Sequence, residues 1–318
     1  MDEASVVTAG AVKLVHHLNE LEPARRRVCL AIGFFDGVHL GHQQIIRQTT
    51  ADARQHEASA LIVTFDRHPN TVVAPDRAPP LIYPLTQKLQ VIESLGVDVT
   101  LLIHFDKAFS ERPGEEFVRA LAHDAGQIRS ICVGSNFVFG HKRSGNVELL
   151  RKLGAELNFA VHGLAAVALD GKAVSSTRIR QAITSGDLDA ASQMLGRAYF
   201  LAGKVVAGDQ LGRQLGFPTA NVEVTGLVLP PTGVYAAHVK TPRGSCRAVV
   251  NIGSRPTVHS SKPQLRVEAH LLDFTGDLYD QTLELVFVDK LRDEKKFPSL
   301  AELREQIARD IARARLSF

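Results

Sequence analysis

Short apolar runs alternate with helix-like stretches through the first half of the chain. Residues 28–34, 60–65, 99–105 and 131–133 read as strands. Between them, Leu85, Leu89, Ile92 and Leu95 recur at helical spacing and stop at Gly96, while Pro113 opens a second helix with Phe117, Val118 and Leu121 on one side. Strands alternating with helices predict an α/β domain whose parallel sheet is covered on both faces and whose ligands collect at the carboxyl ends of the strands. Near Gly186 the texture changes. Residues 187–197 suggest a connecting helix, and closely spaced strands follow at 199–206, 233–239, 246–252, 266–272 and 281–288. Their Gly, Pro and Asp turns indicate an antiparallel β-barrel. A last amphipathic helix over 299–314, with Leu300, Leu303, Ile307 and Ile311 in one stripe, is expected to pack on that barrel as structure rather than function. The division predicted is 1–186 and 187–318.

Composition changes this picture little. With 318 residues there is length for two full cores, and a formal charge of +3 gives no support to nucleic-acid binding, although small polyanions remain open. Cys29, Cys132 and Cys246 have no metal spacing, and no long apolar run suggests a membrane span, so a cytoplasmic enzyme is expected. The run Arg25, Arg26, Arg27 before the first strand is best explained as a solvated face.

Chemistry concentrates in the string G-F-F-D-G-V-H-L-G-H, from Gly33 through Phe35, Asp36, His39 and Gly41 to His42. A strand runs into glycines and then a helix start, where free N–H groups and a positive dipole end await an anion. His39 and His42 share one face of the first turn, and phosphate is favoured over a metal because no third ligand follows at fixed spacing. Asp66 and His68 in T-F-D-R-H-P, and Asn136 and Phe137 in G-S-N-F-V-F-G, end later strands and should share the crevice. Ser176, Thr177 and Arg180 in S-S-T-R-I-R open a helix, either as an ordinary cap or as an anion site.

In the second half, G-R-Q-L-G-F-P-T-A-N spans Gly212, Arg213, Gly216, Pro218, Thr219 and Asn221. Its rigid loop would put the Thr219 hydroxyl and Asn221 amide on one side, as hard ligands for Mg²⁺. Glu268 alternates with Val267 and Ala269 on a strand, either as a solvated carboxylate or as a base for a hydroxyl acceptor.

These strings resemble, in order and over roughly residues 28–310, the prokaryotic bifunctional riboflavin kinase/FAD synthetases. The resemblance implies a Rossmann-like nucleotidyltransferase domain followed by a riboflavin kinase barrel. Riboflavin plus ATP would give FMN and ADP in the barrel, and FMN plus ATP would give FAD and pyrophosphate in the first domain. Mg²⁺ is implied, with ATP as co-substrate, and no tightly bound organic cofactor is required. No nucleic acid or membrane partner is implied, and oligomeric state is left open.

By the same resemblance, His39 and His42 stabilise the transferred group. Gly33, Phe35, Asp36, Gly41, Asn136, Ser176, Thr177 and Arg180 contact ATP, while Asp66, His68 and Phe137 contact flavin. Glu268 is the kinase base, and Thr219 and Asn221 hold the metal. Gly212, Arg213, Gly216, Pro218, Asn251 and Arg255, the last two in N-I-G-S-R-P-T, bind ATP or its phosphates in the kinase pocket together with Thr219 and Asn221. Arg292 either reaches flavin or belongs to a surface ion-pair cluster. The two ATP pockets are expected at the mouth of the sheet and inside the barrel.

This chain departs from the family strings at Arg67 (proline is usual), Val138 (arginine is frequent) and Asp280 (glycine is usual, implying positive φ). Two alternatives stay open: an adenylyltransferase half that has lost activity, or a flavin-binding protein without turnover.

Overall fold

A computed structural model describes residues 12–21, 27–255 and 264–318. It contains two compact units, Met1–Pro79 with Leu85–Ser175 and Pro80–Pro84 with Ser176–Phe318. Arg25, Arg26, Pro256 and Thr257 lie outside the described residues.

The first unit is built on six parallel strands: β1 (Lys13–Val15), β2 (Arg27–Ile32), β3 (Ser59–Phe65), β4 (Val99–Ile103), β5 (Gln127–Gly134) and β6 (Ala160–Leu164). Their order across the sheet is β1-β4-β3-β2-β5-β6. The run Val28–Ile32 is buried along its whole length because helices cover both sheet faces. These helices are α1 (Leu40–Gln55), α2 (Leu85–Glu93), α3 (Gly114–Ala125) and α4 (Val147–Leu157). The chain moves one way from β2 through β3 to β4, then returns to the other side of β2 with β5. That reversal is the switch point at which open α/β sheets bind ligands. Strands β1 and β6 and helix α4 were not legible in the periodicity; the two strands are short and lie at the sheet edges.

The second unit opens with α5 (Ser176–Ser185) and α6 (Leu188–Leu195). Asp187 caps α6 by accepting the Ala190 N–H, and Gly196 ends it at φ +68°. Six strands then close into an antiparallel barrel: β7 (Phe200–Val206), β8 (Ala220–Val222), β9 (Gly233–Thr241), β10 (Gly244–Arg255), β11 (Gln264–Leu271) and β12 (Thr282–Arg292). Around the barrel they run β7-β8-β11-β10-β9-β12. Helix α7 (Leu300–Leu316) starts at Ser299, whose hydroxyl accepts the Glu302 N–H. Asp280 does adopt positive φ, at 64°.

Two pieces of this unit are absent from the strand pattern. Strand β8 starts inside the P-T-A-N string and runs one residue past it. The segment Pro80–Pro84 straps onto the unit, with the Leu81 N–H on the Gly226 carbonyl and the Val228 N–H on that of Leu81. Tyr83, buried in that strap, stacks on Phe200 at 4.5 Å between ring centroids.

Barrel side chains alternate inside and out. Leu201, Val222, Val250, Ile252, Val267 and Ala269 fill the interior, as expected of a six-stranded barrel too narrow for a ligand. The expectation of a pocket inside the barrel is therefore corrected: the polar residues face outward.

Candidate active sites

In the first unit the G-F-F-D-G-V-H turn leaves β2 beside the switch point. Phe35 has φ +55° and Val38 φ +41°, both left-handed, and a buried β-branched residue there is strained. The turn ends on His39, which caps α1: its Nδ1 accepts the His42 N–H at 3.4 Å, so the neutral ring carries its proton on Nε2. The His39 and His42 rings stack at 3.6 Å, and the Phe35 ring props His42 edge-on at 5.2 Å.

The glycines serve these rings. A Cβ on Gly33 would stand 2.9 Å from the Phe35 ring, and one on Gly41 would stand 3.2 Å from that of His39. Phe35 and Asp36 are both buried, so Phe35 supports the site from beneath through His42.

Asn136 is exposed just past β5, across the switch point, and Phe137 behind it stacks on Phe139 at 5.2 Å. Past β3, Asp66 accepts the Phe105 N–H at 3.0 Å, His104 Nδ1 lies 2.7 Å away, and Arg67 pairs at 3.2 Å. Burial pushes the Asp66 carboxyl up, but the Phe105 N–H, Arg67 and His104 outweigh it and hold it below the usual range. Asp66 thus ties the ends of β3 and β4 together. His68 meets Phe34 edge-on at 4.9 Å, and Val138 is exposed.

Ser176, Thr177 and Arg180 belong to the second unit, at the start of α5, where Arg180 donates its Nε–H to the Pro80 carbonyl at 2.6 Å.

On the outer barrel face, register builds a row. Glu268 on β11 stands directly opposite Asn221 on β8 and Asn251 on β10, and such partners sit about 5 Å apart at Cβ. The row lines a cavity of about 450 Å³ together with Thr219, Gly212 and Arg292. A second cavity of about 380 Å³ is lined by Arg213, Pro218, Phe274 and Tyr279, and Thr219 lines both. Gly216 turns the intervening loop at φ +89°. His270 Nδ1 donates to the Pro218 carbonyl at 2.8 Å and steadies that loop. Arg255 ends β10, with its side chain outside the described atoms.

Three glycines closely abut this row. A Cβ on Gly208 would fall 2.1 Å from Asn221 Nδ2, one on Gly212 3.0 Å from Thr219 Oγ1, and one on Gly253 3.1 Å from Asn251 Nδ2. Gly208 and Gly253 were missed in the sequence because only packing sets them against Asn221 and Asn251.

Helix α7 also carries more than expected. Leu303, Ile307 and Asp310 form a wall of the larger cavity, and Arg292 forks onto Asp310 with contacts of 2.7 to 3.0 Å. The hydrophobic stripe predicted the packing but not that it closes a site.

A parallel sheet with stacked histidines at its switch point, and a closed barrel with an outward Thr, Asn and Glu group, define a two-part enzyme acting on nucleotide phosphates. The chain belongs to the bifunctional riboflavin kinase/FMN adenylyltransferase family. A FAD synthetase family profile matches residues 21–178 and a riboflavin kinase profile matches 195–318. The bifunctional riboflavin kinase/FMN adenylyltransferase of Escherichia coli K12 is 37% identical over 309 residues, covering 96% of this chain and 98% of that protein. Its Pseudomonas fluorescens counterpart is 38% identical over 304 residues, covering 96% and 97%. A crystal structure described as a macrolide-efflux protein from Streptococcus pneumoniae superposes with a TM-score of 0.78 at 28% identity, covering 96% and 99%. No helix among the described residues of this chain is long and apolar enough to cross a membrane.

Proposed function

We infer that the protein makes FAD from riboflavin in two ATP-dependent steps, phosphorylation in the barrel and adenylylation in the parallel-sheet unit. The observation that carries the kinase step is the in-register row Asn221, Glu268, Asn251 beside a threonine shared by two cavities. In this reading the flavin occupies the larger cavity and the nucleotide the smaller. Glu268 accepts the proton of the terminal ribityl hydroxyl, whose oxygen takes the γ-phosphoryl group as ADP leaves. Thr219 and Asn221 present neutral oxygens on one face, a donor set that fits Mg²⁺ completed by water and phosphate. Bound there with ATP, Mg²⁺ would supply charge neutralisation on the transferring phosphate.

In the first unit, an FMN phosphate oxygen attacks the α-phosphorus of ATP and pyrophosphate leaves; no protein nucleophile is required. His39, with its proton on Nε2, and the positive start of α1 stabilise the charge that builds there. Asn136 flanks the same switch point, and by motif Ser176, Thr177 and Arg180 contact ATP phosphates. Asp66, His68 and Phe137 are proposed near the flavin. Residues 1–186 and 187–318 are the functional halves, a division that falls between the two matched profiles. A cytoplasmic enzyme without nucleic-acid or membrane partners fits the composition.

Incubating the purified protein with riboflavin, ATP and Mg²⁺, then separating the flavins, is expected to yield FMN and FAD. Glu268→Gln should lower FMN formation by roughly 100- to 10,000-fold and leave FAD formation from supplied FMN intact. His39→Ala should do the reverse. Unchanged kinase turnover in Glu268→Gln removes the general-base role.

A further inference from the structure

A lysine is buried beneath the strand-end crevice of the first unit. Lys88, in the first turns of α2, is 3% exposed. Its ammonium donates to the Phe65 carbonyl at 2.8 Å, the Phe34 carbonyl at 3.2 Å and the Thr64 hydroxyl at 3.3 Å. The Thr64 hydroxyl in turn donates to the Phe34 carbonyl at 3.1 Å. Lys88 Nζ also lies 4.3 Å from the centre of the Phe34 ring, which meets His68 edge-on. One side chain therefore joins the turn after β2, leading to Phe35 and His39, to the turn after β3, which carries Asp66 and His68.

Three oxygens need three donors, and only the charged ammonium has three N–H groups; the neutral amine has two. Burial works against that charge and lowers the Lys88 pKa to about 8, while Asp36 and Asp66, the carboxylates facing it, pull the other way. An ammonium kept at such desolvation cost, with its bonds spent on turn carbonyls, is poorly explained as packing.

We propose that Lys88 is a positioning residue for adenylyl transfer: its three hydrogen bonds lock the turn bearing the stacked histidines to the turn after β3. This rests on the assignment of FMN adenylylation to the parallel-sheet unit.

The test uses full-length Lys88→Met and Lys88→Arg, with kcat and KM for FAD formation from FMN and ATP measured across about pH 6.5 to 9.5. FMN formation from riboflavin in the same preparations reports on the barrel. Lys88→Met should lower kcat for FAD formation on the order of 100-fold, with little change in the KM for ATP and none in FMN formation. In the unmodified protein kcat/KM should fall above about pH 8 as the third donor is lost, and Lys88→Arg, always charged, should displace that limb upward. FAD formation by Lys88→Met within about twofold of the unmodified protein, at odds with the effect of misplacing reacting groups, overturns the proposal, as does an alkaline limb that Lys88→Arg leaves in place. If Lys88→Met loses both activities, the Lys88→Arg profile decides: a displaced limb supports the clamp and an unmoved one overturns it. Absence of FAD formation by the unmodified protein overturns instead the assignment of the reaction to this unit.

Discussion

At the scale of single residues, both sites depend on atoms that are missing. Gly33 and Gly41 leave room for the Phe35 and His39 rings, and Gly208, Gly212 and Gly253 leave room for the side chains of Asn221, Thr219 and Asn251. A methyl group at Gly208 meets Asn221 Nδ2 at 2.1 Å and must push the amide out of its row with Glu268. Gly208→Ala is therefore expected to reduce FMN formation on the order of 100-fold while FAD formation from supplied FMN stays unchanged, which separate assays of the two steps would check. Val38 carries the opposite burden. Its left-handed φ of 41° is a strain held by complete burial, and it aims the chain so that His39 starts α1.

At the scale of elements, the last helix completes the barrel site. Asp310, 5% exposed, accepts the Arg292 fork and the Gln306 amide at 2.8 Å, and this junction pins α7 over the cavity wall. Asp310→Ala strands the Arg292 charge and should cost about 3 kcal/mol of barrel stability, readable by denaturant unfolding. It should also raise the KM for riboflavin, because Leu303 and Ile307 lose their anchorage. A KM unchanged by the variant would remove α7 from the flavin site. Arg292 thus has a defined structural partner and also lines the same cavity.

At the scale of the whole molecule, two chemically similar steps are housed in two different architectures. The parallel sheet brings His39, His42 and the start of α1 to a switch point, whereas the barrel is filled inside and turns the proposed kinase residues outward. The proposed protein donors for Mg²⁺, Thr219 and Asn221, are neutral oxygens that hold the ion weakly without phosphate. A chelator should therefore abolish both FMN and FAD formation, Mg²⁺ should restore both, and the melting temperature should not move. A large drop in melting temperature on chelation would instead indicate a structural metal.

The chain by itself determined the order of the two architectures and most strand and helix cores, because periodicity is a local property of sequence; its motif strings, through their resemblance to the family, singled out His39, His42, Thr219, Asn221 and Glu268 as candidates. The family's glycine at position 280 pointed to a positive φ, and Asp280 keeps it. What only the tertiary structure decided are the relations between distant segments. Register put Asn221, Glu268 and Asn251 in one row, and barrel closure turned that row outward. Packing set Gly208 against Asn221 and made α7 a cavity wall, and the strap Pro80–Pro84 joined a unit that its place in the chain does not suggest. Lys88 reads in sequence as one polar residue on a helix, and becomes a clamp only where folding brings the ends of β2 and β3 within reach of one ammonium. Such contacts arise from register, closure and burial, which join residues far apart in the chain and leave no period within it.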